Sequence, residues 1–315
     1  MKHEKICVIG GGGFVGHHLV SQLAARGCKV WVPTRRRQRI IDLAVLPTVE
    51  VMEADVHDPA ALRELFRDMD AVINLVGILH GTPAEFERAH VELPRKIAQA
   101  CNEAGVGRLL HMSALGADSA SRSRYQQTKA KGEAEVMAIG RATGLAVTAF
   151  RPSVIFGPGD SFLTLFADLL KLAPVVPLAG ANARFQPVYV GDVARAFAIA
   201  LDEPATHDQV YSLCGPGVYT LADLVRLTAR TLGLKRWIIP LDRSQSYLFA
   251  RLMELKPGKK LMTRDNFYAM QIDNVCPEGF PPLFGQPTAL EAVIDYLKGT
   301  GPHCGLERLR ALARR

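Results

Sequence analysis

Tyr125 and Lys129 lie four residues apart in Tyr125-Gln126-Gln127-Thr128-Lys129, a spacing that puts both side chains on one helix face. A phenol with a reference pKa of about 10 is a poor base at neutral pH, and a neighbouring ammonium stabilises its phenolate. The pair is therefore suited to passing a proton to or from a substrate oxygen, with Tyr125 as general acid/base and Lys129 tuning it. The same lysine can hydrogen-bond the ribose of a nicotinamide nucleotide, which would join catalysis to cofactor position. Ser113 lies just upstream at the end of an apolar run and supplies a hydroxyl.

A second chemistry is phosphate binding. Gly10-Gly11-Gly12-Gly13-Phe14-Val15-Gly16 follows Ile6-Cys7-Val8-Ile9 in the frame G-x-x-G-x-x-G. Gly10 permits a tight turn, Gly13 lets a pyrophosphate approach the backbone, and Gly16 allows close packing of helix on strand. The N–H groups around Phe14 and Val15, where the next helix starts, favour an anion. The following strand ends in Thr34-Arg35-Arg36-Arg37, and no acid occurs from Thr34 to Ile41. An Asp or Glu there would hold a ribose 2′-hydroxyl, whereas arginine suits a 2′-phosphate. Arg35 and Arg36 thus predict NADP(H) in preference to NAD(H). Asp55, followed by Val56, is placed to accept from an adenine amino group, since Asp58 is the better helix cap. Asn74-Leu75-Val76-Gly77 ends the fourth strand and should run along the nicotinamide ribose.

The elements that must position these residues alternate in period. Apolar runs at 6–9, 29–32, 49–52, 71–76, 108–112 and 146–150 read as strands, with helical patterns at 59–66, 85–104 and 125–143 among them. Such alternation predicts βαβ units and a Rossmann-type α/β fold, a doubly wound parallel sheet. Beyond Arg151-Pro152 proline and glycine cluster, and helices at 162–172, 193–201, 221–232 and 288–297 alternate with irregular chain. The expected organisation is a dinucleotide-binding domain over 1–155 with a return segment near 186–203. A smaller mixed α/β substrate lobe takes 156–185 and 204–315.

Charge and composition exclude several classes. The 315 residues carry a formal charge of +7. The run Arg35, Arg36, Arg37 and Arg39 and the segment 307–315 together account for the whole excess, so binding to nucleic acid is not expected. Six cysteines show neither C-x-x-C pairs nor metal-ligand spacing, which predicts reduced thiols and no metal site. No stretch is long and apolar enough to span a bilayer. The expectation is a cytoplasmic monomer or homodimer acting on a small molecule. Its basic, amphipathic end at 306–315 is the candidate for a peripheral membrane contact.

Gly10–Gly16, Asp55-Val56, Tyr125–Lys129, Arg151–Gly159 and Pro187–Ala194 occur in one order over about residues 4–235. In this the chain resembles the extended short-chain dehydrogenase/reductase superfamily, the NAD-dependent epimerase/dehydratase type. Asn74–Gly77, His111–Ala117, Leu261–Asp265 and Asp273–Val275 resemble its atypical branch, related to the NAD(P)H-binding accessory subunit of respiratory complex I. The resemblance implies Tyr125 and Lys129 as the catalytic pair, Ser113 beside them, and Met112, Pro152 and Val154 against the cofactor. It also exposes two departures: Ala114 and Leu115 stand where a Ser or Thr is usual, and His90 where Asn is frequent. The expected function is an NADP(H)-dependent oxidoreductase on a carbonyl or alcohol, with a quinone- or isoprenoid-related substrate suggested. The alternative is a non-catalytic NADP(H)-binding protein with a structural or redox-sensing role. No nucleotide-sugar anchor is legible in the second lobe.

Overall fold

Short apolar runs, most of them buried, build the first half of the chain, as expected for a parallel sheet. In the computed structural model, which describes residues 3–255 and 262–299, these are β1 (Lys5–Ile9), β2 (Lys29–Thr34), β3 (Val49–Glu53), β4 (Ala71–Asn74), β5 (Arg108–Met112) and β6 (Ala146–Pro152). Between them run α1 (Phe14–Ala25), α2 (Pro59–Phe66), α3 (Pro83–Glu87), α4 (Leu93–Ala104) and α5 (Arg124–Thr143). The chain continues through β7 (Ile155–Phe156), α6 (Leu163–Leu172), β8 (Val175–Leu178), β9 (Arg184–Phe185), β10 (Val188–Tyr189), α7 (Val190–Ala200) and β11 (Gln209–Leu213). Last come β12 (Tyr219–Thr220), α8 (Leu221–Thr231), β13 (Trp237–Pro240), α9 (Arg243–Glu254), α10 (Arg264–Ala269) and α11 (Leu290–Val293).

Seven strands form one sheet in the order β11-β6-β5-β4-β1-β2-β3, and every pair in it is parallel. The fold is therefore the doubly wound α/β type. Because β1 pairs with both β2 and β4, the winding reverses there, and such a reversal opens a crevice at the strands' C-terminal ends. Cys7, Ile9, Val72, Leu109 and Val147 point into one core with Leu62, Phe66, Ile97 and Val136 from α2, α4 and α5. On β6, Phe150 instead packs on Phe197 of α7, with ring centroids 4.4 Å apart.

The described residues fall into two units. The first holds Met1–Ser153, Val190–Leu213 and Cys276–Gln286, and the second Val154–Tyr189, Cys214–Val275 and the chain from Pro287. In the second unit, α6, α8 and α11 share a core built on Leu163, Leu170, Leu224, Val225, Leu290 and Ile294.

The structure departs from the sequence pattern at identifiable places. The strand expected over 71–76 stops at Asn74, because the Asn74 Oδ1 accepts the Val76 N–H at 3.1 Å and turns the chain. Gln209–Leu213, in the stretch given to the smaller lobe, is instead the seventh strand, laid in parallel on β6. The helix expected over 288–297 is one short α-helical turn continued by a 3-10 helix. Cys7, Cys28 and Cys101 are buried free thiols, whereas Cys214 and Cys276 are each disulfide-bonded, which corrects the expectation of reduced cysteines throughout. The basic stretch 306–315 lies outside the described residues. Among those residues, no helix is long and apolar enough to cross a membrane.

Candidate functional site

The glycine loop sits at the end of β1, where the winding reverses. Gly10 adopts φ +83°, and a Cβ there would stand 3.2 Å from the Val76 nitrogen, so the turn lies directly against the chain leaving β4. A Cβ on Gly16 would collide with the Gly10 and Gly11 carbonyls, which fixes how closely α1 rests on the turn. No side chain caps α1 at Gly13, and its first turn contains no acid. Its leading N–H groups are thus open to an anion, with Phe14 half-buried and Val15 buried beside them. This backbone cradle fits a pyrophosphate.

Arg35 and Arg36 are exposed immediately beyond β2, where the Thr34 hydroxyl accepts the Arg36 N–H at 3.2 Å. Asp58 caps α2 as expected, accepting from the Ala60 N–H at 2.9 Å. The Asp55 Oδ1 accepts the His57 N–H at 3.0 Å, which orients the carboxylate and leaves its second oxygen for a ligand. Val56 beside it is half-buried.

Buried polar side chains gather at the ends of β4 and β5. The Lys129 ammonium on α5 donates to the Met112 carbonyl at 2.7 Å and lies 3.5 Å from where a Cβ on Gly77 would be. Burial pushes its pKa down to about 8, against the pull of Glu133. The Glu133 carboxylate is itself held by Arg151, whose Nε donates to it at 2.8 Å in a two-point pair. Asn74 and His111 are cross-strand partners, and the Asn74 Nδ2 donates to His111 Nδ1 at 3.2 Å. That bond leaves the proton on His111 Nε2. His111 Nε2 and the Ser113 Oγ are both buried and have no hydrogen-bond partner among the described residues.

His90 connects α5 to the chain that leaves β4. Its Nε2 accepts the Ile78 N–H at 3.0 Å, so Nδ1 carries the proton and faces the Thr128 hydroxyl at 2.9 Å. Its ring meets the Tyr125 ring edge-on, 5.4 Å between centroids, and Phe86 closes the other side of Tyr125 at 6.4 Å. His90 is therefore a neutral positioning residue. The expected single helix over 85–104 is broken where His90 lies, because Arg88–Glu92 is π-helical. Proline explains the break. Pro94 has no N–H to offer the His90 carbonyl four residues back, and its ring displaces that carbonyl. The displaced His90 carbonyl presses on α5 at Gly132, where no Cβ would fit.

The histidine has a measurable signature. Burial, aided by the Lys129 ammonium, pushes the His90 pKa down to about 3, and the same two causes lower His111. Above the unfolded value of about 6.5 this costs nothing. As pH falls from there toward about 3, the unfolded chain binds protons that the folded one refuses, and stability is lost. For His90 the loss at pH 5 is about 2 kcal/mol. The melting temperature should fall between pH 7 and pH 5, and His90→Asn should flatten part of that fall. Identical slopes in the two proteins would remove His90 from this role.

The sequence-derived residues thus divide. Gly10, Gly16, Leu75, Val76, Gly77, Met112, Ser113, Tyr125 and Lys129 lie around the ends of β1, β4 and β5. Pro152 closes β6, its carbonyl accepting the Leu115 N–H at 2.9 Å. Val154 belongs to the second unit, with its N–H on the Asn274 Oδ1 at 3.2 Å. Asn74 and His111 as a buried pair, and His90 as a positioning group, were not anticipated. The available signal was a polar residue at the end of one apolar strand, Asn74, and one position before the end of the next, His111.

A model of the NAD dependent epimerase/dehydratase family matches residues 6–214. Over 298 residues the chain is 34% identical to NADH dehydrogenase (ubiquinone) 1 alpha subcomplex subunit 9, mitochondrial, of Mus musculus, covering 90% of this chain and 77% of that one. It is 29% identical over 242 residues to a ceramide reductase of Caulobacter vibrioides, covering 75% and 73%. A UDP-glucose 4-epimerase with UDP-glucose from Thermotoga maritima superposes with a TM-score of 0.73 at 19% identity, over 98% of this chain and 99% of that one. That last likeness is one of fold.

Proposed function

The chain belongs to the NAD dependent epimerase/dehydratase family, and from that premise we propose that it is an NADP(H)-dependent oxidoreductase acting on a carbonyl or alcohol. The observation that carries this is the buried Lys129 ammonium, close to Gly77 at the end of β4, one helical turn from Tyr125. A nicotinamide dinucleotide held here would supply or accept hydride. The loop from Gly10 to Gly16 holds its pyrophosphate, Arg35 and Arg36 hold a 2′-phosphate, and Asp55 and Val56 flank the adenine. Tyr125 moves the proton at its phenol oxygen. Lys129 stabilises the phenolate and binds the nicotinamide ribose, Ser113 lies beside the pair, and Glu133, held in place by Arg151, favours the ammonium form of Lys129 against its burial. A ceramide reductase among the relatives favours an apolar carbonyl substrate, a class that also includes quinones and isoprenoids.

NADPH should bind at least about tenfold more tightly than NADH, a difference of about 1.4 kcal/mol. Arg35→Asp should move the preference toward NADH. Titration followed by nucleotide fluorescence checks both, and equal wild-type affinities would sink the arginine argument.

A second reading rests on Ser113. Its hydroxyl is buried at the end of β5, and the next two positions, Ala114 and Leu115, carry no hydroxyl. A protein that holds NADP(H) without turnover, in a structural or redox-sensing role, fits that gap and the relative that is an NADH dehydrogenase subunit. Mass spectrometry of small molecules released from purified protein, followed by turnover assays on any carbonyl found, separates the two. Retained NADP(H) with a reducible ligand supports the enzyme, and retained NADP(H) alone supports the second reading.

A further inference from the structure

In the second unit, β8 and β13 form a two-stranded parallel sheet in which Val175 pairs with Trp237 and Pro177 with Ile239. Side chains alternate across a strand, and a solvent-facing side is ordinarily polar. Here the inward positions are Val176, Leu178 and Ile238, and the outward ones are Val175, Pro177, Trp237 and Ile239. Every outward position is apolar, and Trp237 is 77% exposed.

The helix that follows is also inverted. α9 buries the small side chains of Ser246 and Ala250 and turns Leu248 and Leu252 outward, with Leu255 one residue beyond its end 79% exposed. Spacings of four and three put these leucines on one face. Exposed apolar surface of this kind marks a docking site.

Charge identifies the occupant. From Lys235 to Leu255 the sequence holds four basic residues (Lys235, Arg236, Arg243 and Arg251) against two acids, Asp242 and Glu254. Both acids are engaged, Asp242 in capping α9 through the Gln245 N–H at 2.8 Å and Glu254 in pairing with Arg264 at 2.7 Å. Exposed leucines and a tryptophan on segments that carry these four cations, none of them in an ion pair among the described residues, match an anionic bilayer surface. The apolar groups enter the headgroup boundary while the cations meet lipid phosphates. We propose that the outward apolar side chains of these two neighbouring segments, Trp237 and Ile239 of β13 and the leucines of α9, dock the protein on anionic membranes.

The test is co-sedimentation of the full chain with vesicles of phosphatidylcholine, with or without about one-third phosphatidylglycerol. Binding to the anionic vesicles only, weakened by added salt, is expected. Trp237→Ser with Leu252→Gln should lower it at least about tenfold, with an unchanged melting temperature because both positions are exposed. In a Trp31→Phe background, the emission of the remaining Trp237 should shift to the blue on anionic vesicles. A chain ending at residue 305 should bind as the full chain does. Failure to bind, loss of binding on that truncation alone, or a dimer that the double variant dissociates would each overturn the proposal.

Discussion

Tyr125→Phe is expected to lower turnover by at least about a hundredfold and to leave NADPH affinity within about twofold. The change removes one oxygen and little else. The ring keeps its edge-on contacts with His90 and Phe86, and Lys129 keeps its bond to the Met112 carbonyl, so the site should hold its shape. What goes is the proton carrier beside the ammonium. Steady-state NADPH oxidation on the substrate recovered from the protein measures the first quantity, and cofactor titration the second. Undiminished turnover would take Tyr125 out of the chemistry. A parallel collapse of NADPH binding would make it a structural residue instead.

Gly132→Val should destabilise the fold by at least about 4 kcal/mol. The His90 carbonyl occupies the space a side chain would need, and both partners are backbone, so no rotamer change relieves the overlap. α5 would have to withdraw from the π-helical turn. That movement would part His90 from the Ile78 N–H and from Thr128 and loosen the wall behind Tyr125. Urea unfolding gives the number, and a loss below about 1 kcal/mol would show that the two segments separate easily. Gly132→Ala, with a single carbon to place, should fall between wild type and the valine variant.

β1, β2, β4, β5 and β6 were legible because buried parallel strands read as apolar runs, β3 because Val49 and Val51 flank an acid in alternation, and α2 because Leu62, Leu65 and Phe66 fall at helical spacing. β11 was not. Gln209-Val210-Tyr211-Ser212-Leu213 is half-exposed along most of its length, so it lacks both the buried run and a clean alternation. α9 escaped for a related reason, since its leucines point away from the core and small residues point inward. At the site, the spacing of Tyr125 and Lys129 and the glycine frame were readable because local geometry dictates them. The Asn74–His111 pair depends on strand register, which a single sequence does not reveal. His90 stood out only as a departure from the family's residue. Its role arises from Pro94, four positions later, acting on its carbonyl.

The π-helical turn also sets the angular phase of the chain before it. An α-helix advances about 100° per residue, and a π turn adds one residue without adding a turn. α3 is thus rotated by about one residue's step relative to a helix run straight back from α4. Phe86 reaches Tyr125 in that rotated frame. A relative that spans 88–92 with one residue fewer would present a different side chain to the tyrosine. In comparisons across the family, this five-residue turn is therefore where a one-residue gap belongs.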